Sequence, residues 1–352
     1  MVVTGSSVDR AQGLLKTLEA EGIVATTFSI SHEPSVDTVL KGLTAAREAG
    51  AEMVIGFGGG SVIDTAKALA GLLTNPGEPL DYLEVVGAGK PLVHPALPWM
   101  AIPTTAGTGA EVTRNAVLAV PERKVKVSLR SPHLLARIAL VDPELTFDLP
   151  AAVTAATGMD AITQLLEAFV CNRANPMTDT LCREGLPRAV KALPAIGRNA
   201  HDASAREDLS LAALWSGLAL ANAGLGAVHG LAGPIGGMAS APHGAVCAAL
   251  LAPVMRVNIG ALRARVPGAA ALQRYAEIAY WFTGRVDAMA EDGARWVETL
   301  VAELNLPGLS AFGVTASLFP SLVAQAQQAS SMKANPIVLT PLDLADVLAA
   351  AL

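Results

Sequence analysis

The sequence predicts an α/β domain built on a parallel sheet, followed by an all-helical domain. Two observations carry this expectation. Short β-branched runs alternate with helical periodicity up to residue 148, the signature of strands joined by crossover helices on both faces of a sheet. After Asp148-Leu-Pro150 those runs stop, and Ala/Leu-rich helical spacing continues to Leu352. Within that second half, Asp160, His229 and His243 stand in apolar sequence. The expected domains are 1–148 and 149–352, and 352 residues give ample length for two cores.

Met1-Val-Val-Thr4 reads as a strand that turns at Gly5-Ser6-Ser7. Arg10 to Glu21 has helical spacing, with Leu14, Leu15 and Leu18 on one face. Ile23 to Ile30 reads as a second strand, Asp37 to Ala49 as a helix, and Glu52 to Phe57 as a short apolar strand. Gly58-Gly-Gly-Ser61 then leads into a helix from Val62 to about Leu73. Trp99 to Pro103 is another strand, Asn115 to Val120 with Val125 to Leu129 a hairpin, and Ile138 to Val141 a closing strand. Pro176, Pro187, Pro194, Pro234, Pro267 and Pro307 are expected to punctuate the helical half. Because the chain opens directly on a strand, a segment covering the sheet edge is expected to precede it.

Composition removes several classes. The chain is 52% apolar and 16% charged, which argues against disorder. A net charge of −6 favours neither nucleic acid nor an anionic membrane surface. Charge appears too early for a secretory signal, and the three cysteines have no metal-like spacing. They read as reduced thiols of a cytoplasmic protein, with Cys247 a small core residue. Leu209 to Met255 carries no Asp, Glu, Lys or Arg, but eight glycines, three prolines and two histidines interrupt it. A buried helix pair, not a membrane span, is expected there.

Two loops carry the first half of a reaction site. A strand, then Gly58-Gly59-Gly60-Ser61, then a helix is a phosphate-binding geometry: bare backbone approaches the anion, and free N–H groups and the helix dipole point at it. Pro103-Thr-Thr-Ala-Gly-Thr-Gly-Ala-Glu-Val-Thr113 also follows a strand, and its hydroxyls suit ribose and phosphate oxygens. Thr104, Thr105 and Thr108 are the candidate cofactor contacts, and Asp64, in the first turn of the glycine-loop helix, caps it or reaches a ribose or amide. No acid follows the first strand until Asp9, so nothing repels a 2′-phosphate and NAD or NADP is open. Two histidines fourteen residues apart, with Asp160 upstream in the helix-like Gly158–Glu167, form a metal-site candidate.

These strings carry a family resemblance. Gly58-Gly-Gly-Ser-Val-Ile-Asp-Thr-Ala-Lys67 and Ile102-Pro-Thr-Thr-Ala-Gly-Thr-Gly-Ala-Glu-Val-Thr113 resemble the cofactor loops of the iron-containing (group III) alcohol dehydrogenases. Ala155-Ala-Thr-Gly-Met-Asp-Ala161, Gly226-Ala-Val-His-Gly230 and Ala241-Pro-His-Gly244 resemble its metal segments. The resemblance implies a Rossmann-like domain followed by an all-helical metal-binding domain, the dehydroquinate synthase-like fold, with the active site in the cleft between. It implies a metal, Fe or Zn, held by one Asp and three His. Asp160, His229 and His243 match three of these, but the fourth position is Gln164, and Gly233 stands where the family has a further histidine. Lys126 matches a family lysine near the cofactor. A Gln carbonyl is a neutral, hard donor, so the metal is expected to be held weakly or to be absent. The implied function is metal-assisted hydride transfer between a primary alcohol or aldehyde and NAD(P), in a homodimer or larger assembly. The alternative is a metal-independent reductase of an oxo acid, like maleylacetate reductase, and a lyase like dehydroquinate synthase ranks below both.

Overall fold

The structure is a computed structural model that describes residues 1–123, 125–239 and 241–352. The chain packs as two compact units. One comprises Met1–Thr105 with Ala110–Thr146, the other Ala106–Gly109 with Phe147–Leu352.

The first unit is built on a five-stranded parallel sheet. Its strands are β1 (Val2–Thr4), β2 (Thr27–Ser29), β3 (Val54–Gly58), β4 (Trp99–Pro103) and β7 (Ile138–Ala139), in the order β2-β1-β3-β4-β7. A two-stranded antiparallel ribbon, β5 (Asn115–Val120) and β6 (Val125–Arg130), forms the expected hairpin. Strand alternation sorts the core onto two faces. Val2, Ile55, Phe57 and Ile102 meet Leu14, Leu15 and Leu18 of α1 (Gln12–Ala20). Val3, Val54 and Ala101 lie in the other cluster, with Val39 and Leu43 of α2 (Val36–Glu48) and Ile63, Ala66 and Leu69 of α3 (Gly60–Thr74). A Cβ on Gly56 would come within 2.9 Å of Ala66, so this strand glycine admits α3 against the sheet. A short helix, α4 (Pro79–Tyr82), lies between α3 and β4.

The second expected strand is shorter than its sequence suggests. Ile23 and Gly22 donate their N–H groups back to Leu18 and Glu19, and Gly22 has a φ of +72°, a left-handed end to α1. That cap consumes the start of the run, and Val24 is 94% exposed. Helix α3 begins two residues earlier than expected, because Gly59 already serves as its N-cap.

The second unit is helical. It contains α5 (Ala151–Val170), α6 (Pro176–Arg198), α7 (Ala203–Asn222), α8 (Ala227–Met238), α9 (His243–Arg265), α10 (Ala270–Thr283), α11 (Ala290–Glu303), α12 (Phe319–Gln328) and α13 (Pro341–Ala350). Helix α5 is central: it packs against α6, α7 and α9, and Met159, Ile162, Leu165 and Phe169 are fully buried. Each such side chain contributes about 1.5–3 kcal/mol by leaving water. Not every expected proline breaks a helix. Pro187 and Pro194 lie inside α6 and Pro234 inside α8. Buried Leu186, Ala189, Val190 and Leu193 hold α6 in place by packing, which outweighs the lost backbone bonds.

The charge-free run forms the expected buried pair: α7 and α8 meet at a 97° bend. Helix α9 is long and apolar enough to cross a membrane, yet 78% of its apolar window is buried inside the protein, as in a core helix.

Candidate active site

The glycine loop lies where an open α/β sheet binds ligands. The strand order reverses between β1 and β3, and the crevice beyond the carboxyl ends of such strands is the usual ligand position. Gly5 follows β1, and Gly58-Gly59-Gly60-Ser61 runs from the end of β3 into α3. The Val62 and Ile63 N–H groups donate to the Gly59 carbonyl at 2.9 and 3.1 Å, so the N–H groups that precede them at Gly60 and Ser61 are the ones that suit an anion. The glycines are required by close approach. A Cβ on Gly58 would sit 2.5 Å from Val62, and one on Gly59 would sit 3.2 Å from Thr105. The Thr104 N–H donates to the Gly58 carbonyl at 2.9 Å, so both loops adjoin at the strand ends.

The other cofactor candidates divide. Thr104 is buried and Thr105 half-buried in the first unit, whereas half-buried Thr108 falls in the Ala106–Gly109 piece of the second. In that piece the Gly107 carbonyl accepts from Ser216 Oγ at 3.2 Å, and Gly109 packs on Ala213 and Gly217 of α7. Asp64 accepts a hydrogen bond from the Val117 N–H of the hairpin at 3.1 Å and lies 3.8 Å from Lys67 Nζ. Lys126 makes an ion pair with Glu33. Lys67 is fully buried and donates to Ala110 O, Thr113 Oγ1 and Asn115 O at 2.8, 2.9 and 2.6 Å. It ties α3 to the segment that follows the second loop.

The second unit assembles the metal candidates from three helices. Asp160 lies on α5, His229 in the first turn of α8, and His243 is the first residue of α9. Asp160 Oδ1 is 3.3 Å from His229 Nε2 and 3.7 Å from His243 Nε2. Asp160 and His229 are almost wholly enclosed, while His243 keeps 38% of its side chain exposed. Glycines permit the convergence. A Cβ on Gly244 would lie 2.2 Å from the Ala156 carbonyl, so only glycine lets α9 start against α5. A Cβ on Gly226 would lie 2.8 Å from the Glu167 carboxylate.

Two further residues join the site. Glu167 Oε2 is 2.6 Å from His229 Nδ1, and its Oε1 accepts the Val228 N–H at 2.7 Å. One carboxylate thus satisfies an orphan donor at the positive end of α8 and orients the imidazole, as outer partners of metal-bound histidines do. The sequence reads Cys247 as a core residue. It is fully buried, but its Sγ faces the imidazoles, 3.8 Å from His229 Nε2 and 3.7 Å from His243 Nε2. Ligand atoms of Asp160, His229, His243 and Cys247 all lie within 4.8 Å of one another. Helical spacing was the available signal: Cys247 follows His243 by one turn and Glu167 follows Asp160 by two. Gln164 is buried one turn beyond Asp160, and its Nε2 makes no hydrogen bond among the described residues. Gly233 faces open space.

The cluster perturbs its own members. Burial disfavours charge on His229, but Cys247, Asp160 and Glu167 together hold its pKa well above the usual histidine range. Cys247 is the largest influence on His243, and with Asp160 it overcomes burial to raise the pKa to about 9. Burial pushes the Asp160 carboxyl up, yet His243 and His229 hold it below its ordinary value. Both imidazoles are thus favoured in their protonated forms.

The comparisons with known proteins follow the same lines. The family described as iron-containing alcohol dehydrogenase matches residues 1–143, and its C-terminal part matches residues 154–352. Alcohol dehydrogenase 4 of Saccharomyces cerevisiae (strain YJM789) is 36% identical over 327 residues, 92% of this chain and 82% of that protein. A crystal structure of 1,3-propanediol oxidoreductase superposes with a TM-score of 0.91 at 30% identity, covering all of this chain and 91% of that one. A sulfoacetaldehyde reductase from Bifidobacterium kashiwanohense, solved in complex with NAD+, superposes with a TM-score of 0.85 at 27% identity, covering 99% and 90%. The fold, the order of motifs and these matches agree, and the chain belongs to the iron-containing alcohol dehydrogenase family.

Proposed function

We propose that this chain is an NAD(P)-dependent alcohol dehydrogenase that interconverts a primary alcohol and its aldehyde at a divalent metal held by Asp160, His229 and His243. One observation carries the reading: a carboxylate oxygen and two imidazole nitrogens from three helices converge in an enclosed setting, at 3.3 and 3.7 Å. The donor set fits a borderline divalent ion such as Fe²⁺ or Zn²⁺. When bound, that ion supplies a Lewis acid that lowers the pKa of an alcohol oxygen. A nicotinamide dinucleotide supplies the two-electron acceptor, and the glycine turn that leads from β3 into the N-terminus of α3 suits its pyrophosphate.

The chain's own groups do the rest. Glu167 accepts the Nδ1 proton of His229 and so presents Nε2 as a lone pair. His243 provides the more exposed edge of the site, where a small alcohol can enter. Thr104 and Thr105 flank the glycine loop as proposed cofactor contacts. Lys126 and Asp64 belong to this proposed set through their places beside the hairpin. The chain is proposed to work as a homodimer or larger assembly in the cytoplasm, where its three free thiols stay reduced.

The test is reduction of NAD⁺ and NADP⁺ by a panel of short primary alcohols, with His229→Ala beside the parent. Turnover in the parent and none in the folded variant is expected. Full activity after chelation would return the metal-independent oxo-acid reductase reading.

A further inference from the structure

Three buried cysteines occupy different settings. Cys182 sits among the apolar side chains of the second core, and Cys171 Sγ donates to the Ala168 carbonyl at 3.3 Å. Cys247 alone joins a set of ligating atoms among the described residues. It leaves the same face of α9 as His243, one turn on.

The separations are those of a coordination shell. Bonds of about 2.0–2.1 Å to nitrogen and oxygen and about 2.3 Å to sulfur, at tetrahedral angles, put ligand atoms about 3.3–3.6 Å apart. The measured edges are 3.3 Å for Asp160–His229, 3.7 Å for Asp160–His243, 3.7 Å for His243–Cys247 and 3.8 Å for His229–Cys247. Gln164 is the competing candidate. A ligating carboxamide is normally oriented by a bond from its NH₂ group, and Gln164 Nε2 has none among the described residues.

We propose that Cys247 Sγ, as a thiolate, is the fourth protein ligand of the metal, and that it tunes the site toward Zn²⁺ and away from Fe²⁺. The proposal rests on the metal reading above. A thiolate adds a second anionic donor beside Asp160, which strengthens the hold on a divalent cation inside an apolar unit. A thiolate also suits the softer ion. As the sulfur–metal bond forms, the thiol proton passes to solvent, and no electron changes hands.

The test uses full-length protein stripped of metal and reloaded with Co²⁺ or Zn²⁺. The parent is expected to show a thiolate-to-cobalt charge-transfer band, and X-ray absorption at the zinc edge one sulfur neighbour at about 2.3 Å. Cys247→Ser should lose both signals, and its Zn²⁺ affinity should fall by more than the roughly 10–100-fold that loss of an outer partner costs. Gln164→Ala should keep both. The double variant Cys247→Ser, Gln164→His should recover affinity without the sulfur signal, which covers the case in which the single variant misfolds. Metal bound at the parent site without sulfur would overturn the thiolate assignment and leave the metal reading standing. A parent that binds no divalent ion would overturn both.

Discussion

Glu167 decides what His229 can do. Its carboxylate lies 2.6 Å from Nδ1 and would leave Nε2 to the proposed ion, so loss of that carboxylate frees the ring to rotate and to change tautomer. Glu167→Gln is expected to weaken metal binding about 10–100-fold while the fold persists, measured by competition with a chromophoric chelator. Proton release gives a second check. His243 holds its proton up to about pH 9 without metal, so at neutral pH each ion must displace protons. Metal affinity should therefore rise with pH from neutrality toward about 9. Gly5 offers a third. No acid stands there to meet a ribose diol or repel a 2′-phosphate, and a Cβ at Gly5 meets nothing within 4 Å. NADP⁺ should be accepted by the parent, and Gly5→Asp should shift kcat/KM toward NAD⁺ by about tenfold or more, as one unfavourable charge contact of about 1.4 kcal/mol implies. Asp160, His229 and His243 were legible in the sequence because ionisable residues stand out in apolar runs. Cys247 and Glu167 were not, since a cysteine on a buried helix looks like packing until its neighbours in space are known.

Helix placement carries the next level. Gly244 lets α9 begin within van der Waals reach of the Ala156 carbonyl on α5, and this contact brings His243 to Asp160. Gly244→Ala should push the helices apart, costing about 1–3 kcal/mol in stability and more in metal affinity, measured by denaturant unfolding with and without metal. Helix α3 is anchored by Lys67, whose burial pulls its pKa down to about 8, against Asp64 and Glu111. Between pH 8 and 10.5 the unfolded chain binds more protons at this lysine than the folded chain does, so its contribution to stability rises with pH across that window. The difference in unfolding free energy between parent and Lys67→Met should widen by a few kcal/mol from pH 8 to 10.5. Parallel curves would contradict the buried charge. Strand–helix alternation made most elements of the first unit readable. The second strand was overread because a helix cap claimed its opening residues, and α6 runs through two expected breaks because buried side chains hold it.

At the scale of the whole molecule the two halves of the reaction are separately built. The cofactor cradle follows from strand order in the first unit, while all four converging donors belong to the second. The change from alternating to wholly helical periodicity was legible near residue 149, but the small piece Ala106–Gly109 that packs with the second unit was not, because local sequence does not say which neighbour a loop joins. A saturating ion should stabilise the second unit by about 2.7 kcal/mol when present at a hundred times its Kd. The most direct test of the account is a titration of chelated, metal-free protein with Zn²⁺ or Fe²⁺, following bound metal and alcohol-dependent reduction of NAD⁺ or NADP⁺ in the same samples. The account predicts activity that rises in step with bound ion and saturates near one ion per chain, with none in folded His229→Ala. Full activity in protein that holds no ion would contradict it.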